Sequence, residues 1–145
     1  MRRFIISLLL AVVPAIGLFA QKSPQIKFDK TSHGFGSVYR LAGSRTYFFR
    51  FANIGDAPLV MDHLTTGCQC VKAEFMQKKI LPGETGEVKV TYNPSGQRDG
   101  EFKKSITIAS NAKTPYIRLF VSGTLTSSKP VASPKSEGNK EDTYN

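Results

Sequence analysis

The stretch RTYFFRFAN, Arg45 to Asn53, decides the fold. Read at a period of two, it puts Tyr47, Phe49 and Phe51 on one face. Alternate side chains of a strand project to opposite faces, so the run predicts a half-buried strand with an aromatic inner face. The same alternation recurs downstream. GEVKVTYN turns Val88, Val90 and Tyr92 inward, with Lys89 and Thr91 outward. FKKSITIAS sets Phe102, Ile106 and Ile108 together, and YIRLFVSG does the same for Ile117, Leu119 and Val121. Lys104 falls on the inward side near its strand's start, where a long stem can carry the ammonium out to water.

Turn chemistry separates these runs: NIGDAP, LPGETG, NPSGQRDG and SNAKTP. Gly and Asn supply positive φ, and Pro pre-sets a turn or ends a ladder. Seven strands are predicted, at residues 26–28, 45–53, 59–64, 71–75, 86–92, 102–110 and 116–124. No segment carries a helical stripe. Short, regularly spaced strands with Gly/Pro turns make an all-β, antiparallel sandwich. The chain has no Trp and only two cysteines, one residue apart. The antibody branch of that architecture, with its buried Trp and distant cysteine pair, is excluded.

The ends differ from the middle. Arg2 and Arg3 precede an apolar run from Phe4 to Ala20, and a polar segment opens at Gln21. That pattern reads as a secretory signal peptide, residues 1–20. The run is slightly short for a membrane span, which takes about 20 apolar residues. No span is expected after cleavage, and the destination is periplasmic or extracellular. Residues 127–145 are rich in Ser, Pro, Lys and Glu and read as a disordered tail. One domain, residues 24–126, lies between. The net charge of +9 at pH 7 would suit anionic partners. The cations are scattered, however, and there is no nucleic-acid motif, so nucleic acid is not expected.

Several pieces of this domain are familiar together: HGFGSV, the F-x-F-x-N-x-G-x-x-P-L pattern from Phe49 to Leu59, the C-x-C at Cys68 and Cys70, LPGETGEVKVTYNP, and SITIASN. They cover nearly all of the folded unit, and the chain resembles the bacterial family called domain of unknown function 1573. The resemblance implies an exported Ig-like sandwich, akin to Hydin-like and sperm-protein-like Ig domains, with no established enzymatic activity. It implies folding roles for the small residues: Phe35 plugging one end of the sandwich at a kink beside Gly34 and Gly36, Asn53 and Gly55 shaping the turn after the aromatic strand, and Pro82 and Gly83 lying in the turn LPGETG. The family usually reads S-C-G-C-T at its cysteines. Here Gly67, Gln69 and Val71 stand in place of Ser, Gly and Thr.

Cys68 and Cys70 leave three readings open. Residues i and i+2 of a strand share a face with Cα atoms roughly 6.5 Å apart, while a disulfide prefers about 5.5–6 Å. Closure therefore needs a local turn, and an oxidising compartment favours it. The first reading is a structural pair at the end of the strand before Val71. The second is a thiol–disulfide exchange site, which needs a stabilised thiolate. The third is a Cu(I) site drawing on His63 and Met61 as well. Met61 suits the core, and a lone His is commonly a surface residue. Asp62 and His63 should point to opposite faces and form no dyad. There is no phosphate loop, no His-rich metal motif and no nucleophile elbow. The expectation is a non-enzymatic module with no cofactor, binding a protein or an envelope glycan. The alternative is a thiol-redox or Cu(I)-handling protein acting through Cys68 and Cys70.

Overall fold

Alternating side chains need a second apolar face to pack on, and this chain supplies it with a second sheet. The computed structural model describes residues 21–128. The expected signal peptide, and the expected tail beyond residue 128, lie outside them. Nine strands form within the described residues: β1 (Ile26–Phe28), β2 (Ser32–Tyr39), β3 (Arg45–Asn53), β4 (Leu59–Thr66), β5 (Val71–Phe75), β6 (Lys79–Ile80), β7 (Thr85–Tyr92), β8 (Gly100–Ser110) and β9 (Tyr116–Thr126). They make a four-stranded sheet, β1-β3-β7-β5, and a five-stranded sheet, β2-β9-β8-β4-β6. The result is the expected all-β, Ig-like sandwich.

The core is the list the alternation predicts. Phe49, Phe51, Val88, Val90 and Tyr92 face Ile106, Ile108, Leu119 and Val121, and all are buried. Tyr47 and Phe102 are half-buried against them, and Phe102 stacks on Tyr92 with centroids 4.1 Å apart. Lys104 is half-buried, between half-buried Phe102 and buried Ile106 along its strand. Gly86 is required by β3: a Cβ there would lie 2.5 Å from the Phe51 ring.

Two strands exceed the predicted seven. β6 has only two residues, too few to alternate. β2 is masked in sequence by Gly34 and Gly36, which leave blanks in the apolar period. Its register on β9 shifts between Gly34 and Ser37, where Gly36 takes a φ of 65°. A bulge absorbs an extra residue this way. β2 also runs parallel to β9, whereas every other pairing is antiparallel. The reason is the route of the chain: after β1, residues 29–31 carry it from the smaller sheet across to the larger one. Gly123 on β9 lies beneath this bulge, where a Cβ would meet the Gly36 carbonyl at 2.7 Å.

The far end of the sandwich is closed by Asp99 in the β7–β8 turn. Its carboxylate accepts bonds from the Ser127 amide (2.9 Å) and hydroxyl (2.6 Å) and from the Arg40 guanidinium. These contacts, the Ser127 hydroxyl first, lower its pKa from 3.8 to about 2. Folding thus favours the carboxylate. The linked stability is present above the unfolded value near 4 and is lost as pH falls towards 2. Asp99→Asn should flatten acid unfolding over that window, monitored by circular dichroism. An unchanged acid limb would show that the cluster contributes nothing.

Candidate functional site

The cysteine pair sits where the chain leaves one sheet for the other. β4 belongs to the five-stranded sheet and β5 to the four-stranded one. Residues 67–70 make the corner as a bend and turn rather than as strand. The pair was expected at the end of a strand, with a local turn needed to close it. The corner brings their Cα atoms to 5.1 Å, and Cys68 and Cys70 are joined as a disulfide. Cys70 is buried in the core and Cys68 is half-buried at its margin. The turn is fastened by backbone: Val71 N–H donates to the Cys68 carbonyl (3.1 Å), and Asn93 N–H donates to the Cys70 carbonyl (2.7 Å). The Cys70 amide also lies 3.1 Å from Cys68 Sγ. Gln69 keeps an ordinary negative φ, so this corner does not need the glycine usual at its position.

A bond closing so small a ring restricts the unfolded chain little. Cys68→Ser with Cys70→Ser should therefore cost about 1–2 kcal/mol and leave the far-ultraviolet circular dichroism unchanged. Collapse of the fold in the double variant would contradict this.

Met61 and His63 separate. Met61 is buried in the core, whereas His63 is exposed and its Nδ1 lies 2.9 Å from Asp62 Oδ2. The expected opposition of Asp62 and His63 is corrected here. β4 slips register on β8 between Met61 and Leu64, and the bulge turns both side chains to water. Among the described residues no group of three or more His, Cys, Asp or Glu is placed to hold a metal ion.

Asn53 is the buried polar residue of the core. Its Nδ2 donates to the Ala57 (2.8 Å) and Ile80 (3.1 Å) carbonyls, and its Oδ1 accepts from Gly55 N–H (3.1 Å) and Gln25 N–H (3.3 Å). One side chain thus joins the approach to β1, the β3–β4 turn and β6. Gly55 serves a different purpose from the expected positive φ. It lacks one, and a Cβ there would meet the Ser23 carbonyl and Gln25 amide at 2.4 Å. Gly83 does take a φ of 82°, next to exposed Pro82, and its N–H donates to the Asn53 carbonyl (2.9 Å). Phe35 is half-buried against the core, with its ring edge-on to His33 at 4.9 Å. His33 in turn stacks on Tyr47 at 3.6 Å. Burial first, and then Lys30, lower the His33 pKa below 6.5 and favour the neutral ring.

A second location was not singled out by the sequence. β1 covers only Phe51, Ala52 and Asn53 of β3, and the Asp29 amide adds one bond to the Arg50 carbonyl (3.1 Å). The chain then departs for the other sheet. Beside the rest of β3 it leaves a notch of about 530 Å³ lined by Asp29, Lys30, Thr46, Phe48, Arg50 and Glu87, among others. Phe48 is 43% exposed there.

The comparisons with known proteins agree with this architecture. The model of the family described as "Protein of unknown function (DUF1573)" matches residues 26–125. No curated protein matches the chain in sequence. Among solved structures, a protein of unknown function from Porphyromonas gingivalis is similar at 19% identity, with a TM-score of 0.66 over 75% of this chain. The chain spans about half the length of that protein, 50%. The ASH / PapD-like domain of human CEP192 (PapD-like domain 7) is similar at 12% identity and TM-score 0.60, over 74% of this chain and 89% of that one. The VesB protease of Vibrio cholerae is similar at 14% identity and TM-score 0.53, over 70% of this chain and 31% of that one. These likenesses show the sandwich. Among the described residues no helix is long and apolar enough to cross a membrane.

Proposed function

The chain belongs to the family described as Protein of unknown function (DUF1573), and from its geometry we propose that it is an exported, non-enzymatic Ig-like module that binds a protein or glycan of the cell envelope. The observation that carries this reading is the open rim of the sandwich. β3 beyond β1, and β5, each lack a neighbour on one side. Bare strand edges are ready-made pairing surfaces. Its best-held polar groups serve folding: Asn53 ties turns together, Asp99 closes an end, and Glu87 and Glu74 pair with Arg50 and Lys89. Export is supported by the apolar run behind Arg2 and Arg3 and by a disulfide, which persists in oxidising compartments.

The test is photo-crosslinking in the native cell from Lys30 and Lys72, exposed positions at the β3 and β5 rims. Discrete adducts in the envelope fraction are expected, on a chain whose mature N-terminus is Gln21 by mass spectrometry. A retained leader contradicts export, and the absence of adducts from both positions contradicts binding.

One contact favours a second reading, thiol exchange or Cu(I) handling at Cys68 and Cys70. After reduction the Cys70 amide is placed to hold a thiolate on Cys68. Thiol titration in glutathione buffers decides it. A pair that stays oxidised throughout the periplasmic range removes this reading, as does failure of the reduced chain to retain Cu(I) against a modest chelator.

A further inference from the structure

We infer that the uncovered edge of β3 at Thr46 and Phe48 is the docking site for an extended, acidic segment of a partner protein, which adds to the four-stranded sheet as a further strand. The inference rests on the binding-module reading above and makes it specific.

The backbone fixes which groups are free. Asn53 turns its N–H and C=O towards β7's side, bonding the Glu84 carbonyl and the Gly83 amide, each at 2.9 Å. Backbone groups alternate sides along an antiparallel ladder. Arg50 therefore faces the β1 side, where its carbonyl accepts from Asp29. Phe48 and Thr46, two and four residues earlier, face the same way. Past Asp29 no strand lies there: β3 pairs only with β1 and β7, and β1 stops opposite Phe51. None of the loop and turn bonds among the described residues reaches Thr46 or Phe48 either. Two N–H and two C=O groups are thus presented in line, at strand spacing.

The side chains around them choose the occupant. Phe48 stands exposed on the outer face, beside Arg50 and Thr46 in the alternation, and gives an incoming apolar side chain a surface to cover. Lys30 and Arg45 flank the bare segment, and no ion pair among the described residues uses either. Asp29 is exposed beside them, whereas Glu87 is already paired with Arg50 at 2.8 Å. The local surplus is positive, as is the whole chain, which selects an acidic strand and disfavours a second copy of this basic one. The edge of β5 lacks this combination. Lys72 is exposed there outside any ion pair among the described residues, but Phe75 is half-buried against the core and the Val71 amide is already used by Cys68, so this edge offers neither an exposed aromatic nor a full row of free amides.

The test is a titration of the ¹⁵N-labelled chain with two short extended peptides, one alternating valine and glutamate, the other valine and lysine. With the acidic peptide, amide shifts should concentrate at Thr46 and Phe48. The lysine peptide should bind roughly tenfold more weakly at low salt. Lys30→Glu and Phe48→Ser, both at exposed positions, should each weaken the acidic peptide without moving the melting temperature. Shifts centred on Ala73 and Phe75 would overturn the β3 assignment while leaving the binding-module reading intact. Equal affinity for the two peptides, or no shift at millimolar peptide, would overturn the inference. So would Thr46 and Phe48 amides already protected before peptide is added, since a second copy or the chain's own tail would then hold the edge. The module reading is judged separately, by the cross-linking above.

Discussion

Replacing Asn53 with alanine should destabilise the domain by about 3–4 kcal/mol, since a net hydrogen bond contributes about 1 kcal/mol and a stranded buried group costs about 1–3. The side chain makes four bonds. Water can reach the Gln25 and Gly55 amides once Asn53 is gone, since they are only part-buried. It cannot readily replace the bond to the Ile80 carbonyl, which is buried. Ile80 is itself part of the core, so β6 should loosen first. Asn53→Asp should be at least as damaging: it keeps an acceptor but loses both Nδ2 donations and adds a buried charge. Urea unfolding reads both variants. A loss under about 1 kcal/mol for Asn53→Ala would place the turn's stability in the backbone alone.

Phe49→Ala should cost about 3–5 kcal/mol, the range for emptying a buried aromatic site. Phe49 is 1% exposed, its ring is edge-on to Tyr47 at 4.9 Å, and it is opposite Val88 in the ladder. Val88 is held by ladders on both sides, to Phe49 and to Phe75, and cannot collapse into the gap. The adjacent Phe48 supplies the control. It is 43% exposed, so Phe48→Ala should stay within about 0.5 kcal/mol, as for ordinary surface changes. The contrast between two neighbouring phenylalanines tests the register of β3 directly. Equal losses would mean that the strand does not alternate as described.

Much of the fold was legible because β3, β7, β8 and β9 carry most of their core residues at period two, with Lys104 as the interruption in β8. β2 was not legible. Gly34 and Gly36 contribute no side chain to its pattern, and a bulge then shifts its phase. Its parallel pairing with β9 could not be read either, since alternation marks the inner face and says nothing of the neighbour. Likewise the β4 bulge turns Asp62 and His63 both towards water, and bulges leave no reliable mark in composition. Asn53 was legible as a turn-former, but its partners lie on three separate segments that only the folded chain assembles. Gly55 shows two uses of one residue type. Its turn context pointed to backbone φ, and the structure requires it for the close approach of residues 23–25.

The candidate site divides in the same way. Cys68 and Cys70 stood out because the chain has no other cysteine. The bare edge of β3 did not, although Phe48 gave a hint as an aromatic on the wet side of an alternating strand. Which strands end a sheet depends on where β1 stops and crosses over, and that is a property of topology.

Residue-resolved amide hydrogen exchange on the free chain is the most direct test of the open edge on which the proposed binding rests. Along β3, we predict that Thr46 and Phe48 exchange roughly a hundredfold faster than Tyr47 and Phe49, whose amides face β7. Uniform protection across all four residues would mean that the edge is already paired, and would contradict the account.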